Sequence, residues 1–386
     1  MSPIQGDLET GRPQLSTMSF IDPQHDADRQ HVTVPATRPA PLPRELRLLR
    51  AEVPGAGRTR DLGQWVVETH TTALLVIDGP LGRGTVVHEW YADGVDADSL
   101  LLGASMTKSV LAHLVGNAIA SGSLRLEDRV VEHVPELAGT GYADCLVEHL
   151  LTMTTGTDWV EDHRDPAGPA TRLISCFTGA GGTSRDLLAA VDPQDPPGTR
   201  WEYSTADSQV LDWVRERATG TTYTDGLAEL WRVLGCVRDA VVGVDAAGVA
   251  LAGGGLAACA EDWLRLAALQ LTGTAYDARV LGPDWVERSS TPPAPWMRPG
   301  RLPSSITTHA GFGFHWWPLT DDGVRVTSDG SRGQFGYVDR DLEVAVLKTS
   351  LWPYDDWLVD RQQRDLSYLG LPLVAAAARD QSGNEA

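Results

Sequence analysis

Two blocks of β-rich sequence stand near opposite ends of this chain, and the stretch between them patterns as helices. The first block is Ala73-Leu74-Leu75-Val76-Ile77, a turn at Asp78-Gly79-Pro80, then Thr85-Val86-Val87-His88-Glu89-Trp90-Tyr91. Apolar, β-branched runs around Gly/Pro punctuation predict a hairpin. The second block alternates over 311–317 and continues over 324–328 and 342–347. The two blocks are expected to share one antiparallel sheet with helices packed on it. Helices are expected over 61–71, 106–121, 128–134, 147–153, 184–191, 209–218, 223–234 and 260–271, with a last one over 355–369. This is an α/β (α+β) reading. The 386 residues exceed one ordinary core, so two lobes are expected. Residues 46–108 and 286–386 form the sheet domain, 109–285 a mainly helical one. Residues 1–45, rich in proline, form an extended arm.

The formal charge is −20. That excludes non-specific binding to nucleic acid or to an anionic membrane, which needs a basic surface. No apolar run reaches the roughly 18 residues of a membrane span. The start of the chain lacks a basic segment followed by an apolar block, so a cytoplasmic location is expected. Cys145, Cys176, Cys236 and Cys259 form no C-x-x-C pair and read as reduced core thiols.

Only two of the 32 basic residues are lysine, Lys108 and Lys348. A position that keeps Lys in so Arg-rich a chain points to a property Arg lacks, the ability to lose its proton when desolvated. Lys108 ends the run Ser105-Met106-Thr107-Lys108. Residues three apart share a helix face, so its amine is expected to reach the Ser105 hydroxyl. A serine nucleophile needs such a base, and Ser-x-x-Lys is a signature of penicillin-interacting enzymes. The bland alternative is an N-cap serine beside a solvated lysine.

Further motifs follow in order. They are Val134-Pro135-Glu136-Leu137-Ala138-Gly139, then His149-Leu150-Leu151-Thr152-Met153-Thr154-Thr155-Gly156, then Pro197-Gly198-Thr199-Arg200-Trp201-Glu202-Tyr203-Ser204-Thr205. Gly253-Gly254-Gly255-Leu256 precedes Ala260-Glu261-Asp262-Trp263, and Ser328-Asp329-Gly330-Ser331 precedes Gln334-Phe335-Gly336. Over about 65–350 the chain resembles the serine β-lactamase / penicillin-binding-protein family. Within it the resemblance is to the class C / esterase branch, nearest to 6-aminohexanoate-dimer hydrolase-like proteins.

The resemblance implies a β-lactamase/transpeptidase-like fold and a serine hydrolase or acyltransferase acting on a small-molecule amide or ester. An amine is the alternative acceptor to water. Ser105, Lys108 and Tyr203 are the implied catalytic residues, with Tyr203 ionised beside the Lys108 cation. The N–H groups of Ser105 and Ser331 are the implied oxyanion hole. Thr205 is implied at the substrate amide or at Lys108, and Asp329 and Gly330 at the substrate, with Gly330 admitting its backbone. Glu161 and His163, on the loop beyond Gly156, are read either as facing a leaving amine or as part of a solvated acidic loop. Neither a metal nor an organic cofactor is implied. Ser328 stands where antibiotic-binding relatives carry a cation, so carboxylated β-lactams are expected to bind poorly. Lys348-Thr349-Ser350 lacks the glycine and reads as a decoy. Trp316 and Trp317 are expected on a sheet face, with one of them at the cleft.

Two rival readings carry different outcomes. One is an ester-to-amide transacylase of antibiotic biosynthesis; the other is a non-catalytic ligand-binding or sensor protein on the same scaffold. A Ser-His-Asp hydrolase would require a second glycine after Ser105, and Thr107 stands there.

Overall fold

The computed structural model describes residues 31–55, 57–163, 165–178, 182–297, 309–352 and 361–380. A six-stranded antiparallel sheet runs in the order Trp317–Pro318, Arg325–Gly330, Gln334–Asp339, Val344–Ser350, Thr71–Asp78, Thr85–Tyr91. The two ends of the chain meet at its middle, where Val344 pairs with Asp78 and Lys348 with Leu74. Thr71–Asp78 is a continuous apolar run because both of its faces are covered. Leu74, Val76 and Val346 pack with Trp65 of the helix Leu62–Glu68 and with Leu371 and Val374 of the helix Arg361–Asp380. Leu75, Ile77, Ala345 and Leu347 face the helices Met106–Ala120 and Ala260–Thr272, through residues such as Leu111 and Leu264.

This alternation fixes the position of each lysine. Lys348 points to the first face, where it is fully buried within 5.6 Å of the Trp65 and Phe335 ring centroids. The helix that begins after Ser105 lies on the other face. The Lys348 amine therefore stands across the sheet from Lys108.

A second sheet, not expected from the sequence, has the order His31–Val34, Ala240–Gly243, Leu256–Ala258, Leu101–Leu102. Its strands hold two to four residues, too few to display a period of two. It ties the arm to the body. Leu42 donates its N–H to Glu261 at 2.8 Å, and Arg44 pairs with Glu89 and Glu261 at 2.9 and 2.7 Å. Residues 1–30 of the expected arm lie outside the described residues.

Several boundaries differ from expectation. The helix expected over 209–218 is Thr205–Thr219, because the Ser204 side chain caps it by accepting from the Asp207 N–H. The helices Pro169–Cys176 and Trp285–Ser290 were not foreseen. The last helix runs to Asp380 through Pro372, and the expected start at 355 lies outside the described residues. The strand expected over 311–317 reduces to Trp317–Pro318. Gly311 has φ 151° and His315 φ 57°, which no ladder accommodates. The aromatics there divide between two clusters: Phe312 and Trp317 pack with Trp201 and Met153, and Phe314 and Trp316 join the main core.

Candidate active site

The segment before Ser105 is held from both sides. Leu101 and Leu102 pair with Ala258 and Ala257, and the Gly103 N–H bonds Leu256 O at 3.0 Å. Ala104 then adopts φ 45°, a left-handed conformation costly for a residue with a Cβ. That turn starts the helix Met106–Ala120 at Ser105. Ser105 occupies the N-cap position, yet its side chain makes no cap hydrogen bond. Its hydroxyl instead faces two other side chains.

The first is Lys108, one turn along and 2% exposed. Its Nζ lies 3.2 Å from Ser105 Oγ, 3.0 Å from Thr205 Oγ1 and 2.6 Å from Gly253 O. Burial brings its amine down to about 8, against the opposing pull of the Glu161 carboxylate. Loss of a proton near neutral pH is thus accessible to it.

The second is Tyr203, half-buried, whose hydroxyl lies near enough to Ser105 for the serine to act on it. The Lys108 Nζ stands 5.1 Å from its ring centroid, and Trp317 stacks on the ring at 5.9 Å and 18°. The expectation of an ionised Tyr203 is corrected. Burial, and then the charges of Glu161 and Asp329, push the phenol up, outweighing the opposing effect of Ser105. Of the two groups beside Ser105, Lys108 gives up a proton more readily.

Behind Tyr203 lies Asp207, fully buried. It accepts from Ser204 Oγ at 2.9 Å, Thr155 Oγ1 at 2.9 Å and Tyr142 Oη at 3.4 Å. Burial pushes its carboxyl up to about 7 despite these donors.

Glu161 does not face a leaving amine, which corrects that expectation. Its carboxylate turns inward. Oε2 accepts from the Thr205 N–H at 2.9 Å and the Trp159 indole at 2.6 Å. Oε1 meets the Thr205 hydroxyl and, at 3.2 Å, His163 Nε2. Burial opposes its charge, but the His163 hydrogen bond, the charges of His163 and Lys108 and the Thr205 N–H bring it down to about 2. His163 is 46% exposed on the rim.

On the sheet side, Gly330 ends the strand Arg325–Gly330 against the nucleophile loop, as a Cβ there would stand 2.1 Å from Gly103 O. The expected reason for this glycine, approach of a substrate backbone, gives way to approach of the protein's own backbone. Ser331 follows in the turn, half-buried. Asp329 is not open to substrate. It accepts from His309 Nε2 at 3.0 Å and bonds the hydroxyls of Tyr368 and Thr327. The Ser328 side chain is buried, with Oγ 3.5 Å from Gly336 O.

Sequence reasoning missed Trp159, His309, Tyr368 and the carbonyl of Gly253. Gly253 carried a signal as part of the Gly253-Gly254-Gly255-Leu256 run, and Trp159 as a neighbour of Glu161 in the loop beyond Gly156, but no role was drawn from either. All four cysteines are free and buried. Among the described residues no helix is long and apolar enough to cross a membrane.

The Beta-lactamase family model matches residues 81–367. The chain is 31% identical over 308 residues to a 6-aminohexanoate-dimer hydrolase of Paenarthrobacter ureafaciens, covering 78% of each protein. Its fold is similar to a Bacillus anthracis structure provisionally named a 6-aminohexanoate-dimer hydrolase. That match has a TM-score of 0.78, 18% identity and 96% of each chain covered. It is also similar to EstCE1, a hydrolase with promiscuous acyltransferase activity, with a TM-score of 0.57 and 19% identity over 79% of this chain and 96% of that one.

Proposed function

The chain belongs to the Beta-lactamase family and is a serine hydrolase, and from that premise we propose that it cleaves a small-molecule amide or ester through an acyl-enzyme on Ser105. One observation carries the reading: the Ser105 hydroxyl meets a buried amine at 3.2 Å on one side and faces the half-buried Tyr203 phenol on the other. Neutral Lys108 takes the Ser105 proton as Oγ bonds the carbonyl carbon. Tyr203, neutral, passes its phenolic proton to the departing nitrogen or oxygen and is reprotonated from Lys108. Water then enters and the same transfers run in reverse. The N–H groups of Ser105 and Ser331 receive the oxyanion, a contribution of about 3 kcal/mol per donor in comparable sites. The press of Gly330 on Gly103 supports this pairing, since it brings the end of the sheet to the nucleophile loop.

The site is electronegative. Glu161 and Asp329 both act on Tyr203, and Ser328 supplies no cation. A neutral or amine-bearing acyl group fits this field, and a carboxylated one is repelled. Transfer to an amine instead of water is the second reading. The aromatic wall of Trp201, Phe312 and Trp317 beside Tyr203 favours it, because such a surface excludes water.

The test is acylation by a fluorophosphonate probe, followed by product analysis with a small ester and graded amine. Ser105 is expected to carry the probe, and Ser105→Ala to lose both label and turnover. A protein that binds small amides without labelling would be the sensor of the rival reading. Hydrolysis alone at every amine concentration would remove the transfer reading.

A further inference from the structure

Lys108 can attack the Ser105 proton only if its lone pair faces Ser105, and hydrogen-bond directions decide this. A neutral amine has two N–H donors and one lone pair. Its three neighbours are Gly253 O, Thr205 Oγ1 and Ser105 Oγ. The Gly253 carbonyl can only accept, so it takes one N–H. The Thr205 hydroxyl has a single proton, and Glu161 Oε1 holds it. Thr205 is therefore an acceptor toward Lys108 and takes the second N–H. The remaining lone pair points at Ser105.

Glu161 has no capacity left for a substrate. Four groups occupy its two oxygens: the Thr205 hydroxyl, the Thr205 N–H, the Trp159 indole and His163. The Thr205 N–H and the Trp159 N–H are obligate donors, and both meet Oε2.

Resting on the proposed acyl-enzyme reading, we propose that Glu161 is a positioning residue: by fixing the Thr205 hydroxyl as an acceptor it turns the Lys108 lone pair onto Ser105, and it does not touch the substrate. The sharpest consequence concerns Glu161→Gln. The amide oxygen must take the Oε2 side, where two obligate donors point. The NH2 group then faces Thr205 Oγ1 and donates to it. The Thr205 proton swings to the Lys108 lone pair and occupies the base.

The experiment is steady-state hydrolysis of p-nitrophenyl acetate by Glu161→Gln, Thr205→Val and the double variant. Glu161→Gln is expected to lower kcat about 100-fold with KM within about twofold. Adding Thr205→Val deletes the misdirected hydroxyl, so the double variant is expected to recover about tenfold over Glu161→Gln. Losses that multiply instead, or a change in KM with kcat kept, overturn the proposal; the latter would make Glu161 a substrate contact. Should Glu161→Gln fail to fold, Thr205→Ser and Thr205→Val carry the test. Serine keeps the hydroxyl and is expected to keep kcat, while valine lowers it, and equal kcat for the two overturns the proposal. Ser105→Ala measured alongside separates the two levels: turnover surviving there sinks the acyl-enzyme reading itself. Its loss there, with wild-type kcat in Glu161→Gln, sinks only the role of Glu161.

Discussion

Gly330 and Gly103 touch so closely that a Cβ on the first would stand 2.1 Å from the carbonyl oxygen of the second. One is the last residue of a sheet strand and the other lies two residues before Ser105. Gly330→Ala must push the strand end away from the nucleophile loop. Overpacking of this kind costs roughly 1–3 kcal/mol. Urea unfolding is expected to register a loss in that range, and fluorophosphonate labelling of Ser105 to slow by more than tenfold. Normal labelling in a destabilised protein would mean that the contact serves stability alone.

On the proposed mechanism Lys108 sets the pH at which the enzyme works. Its amine must be neutral to accept a proton, and burial brings it to about 8. Esterase kcat/KM is therefore expected to rise with pH and level off above about 8. Lys108→Arg keeps the charge but cannot release a proton, and is expected to cost at least about 1,000-fold across the whole range. A wild-type rate already flat below pH 7 would contradict the assignment of Lys108 as base.

Lys348 should be dispensable for the chemistry. It sits on the far face of the sheet among Trp65, Phe335 and Trp352, with its amine on Ser350 Oγ. Burial holds that amine well below its ordinary value. The folded chain then binds fewer protons than the unfolded one just below the ordinary lysine range, so stability rises with pH there. Lys348→Met is expected to label at Ser105 within about twofold of wild type. Its unfolding free energy should also climb less steeply between pH 8 and 10. Loss of labelling would restore Lys348 to the reaction.

Asp207 reverses that sign. Its carboxyl is pushed from an ordinary 3.8 up to about 7 by burial, so the folded chain holds a proton that the unfolded chain releases. The stabilisation is complete below pH 3.8 and is lost as pH rises through 7. Chemical unfolding at pH 5 and pH 8 should give a larger decline for wild type than for Asp207→Asn. Equal slopes would indicate that Ser204 and Thr155 already stabilise the charged form.

The catalytic segment was legible because its geometry is local. Ser105 and Lys108 lie one helical turn apart, and once the segment is helical they share a face. The hairpin and the terminal strands were legible from their apolar runs. The four-stranded sheet was not, because Leu101–Leu102 and Leu256–Ala258 acquire their character only by pairing with each other. The run from Gly311 to Trp316 misled for a related reason: its aromatics are shared between two clusters, Phe312 beside Trp201 and Phe314 and Trp316 in the main core, and do not face a ladder.

Sequence alone marked the candidate residues and placed a hydroxyl and an amine on one helix face. Tertiary structure decided their protonation and direction. Burial by distant segments lowers Lys108 and raises Tyr203, and Glu161 turns inward only because the Thr205 N–H and the Trp159 indole converge on it. Spacing along a helix is fixed by covalent geometry. Desolvation and hydrogen-bond polarity are sums over groups far apart in the chain, and they exist only once those groups have been folded together.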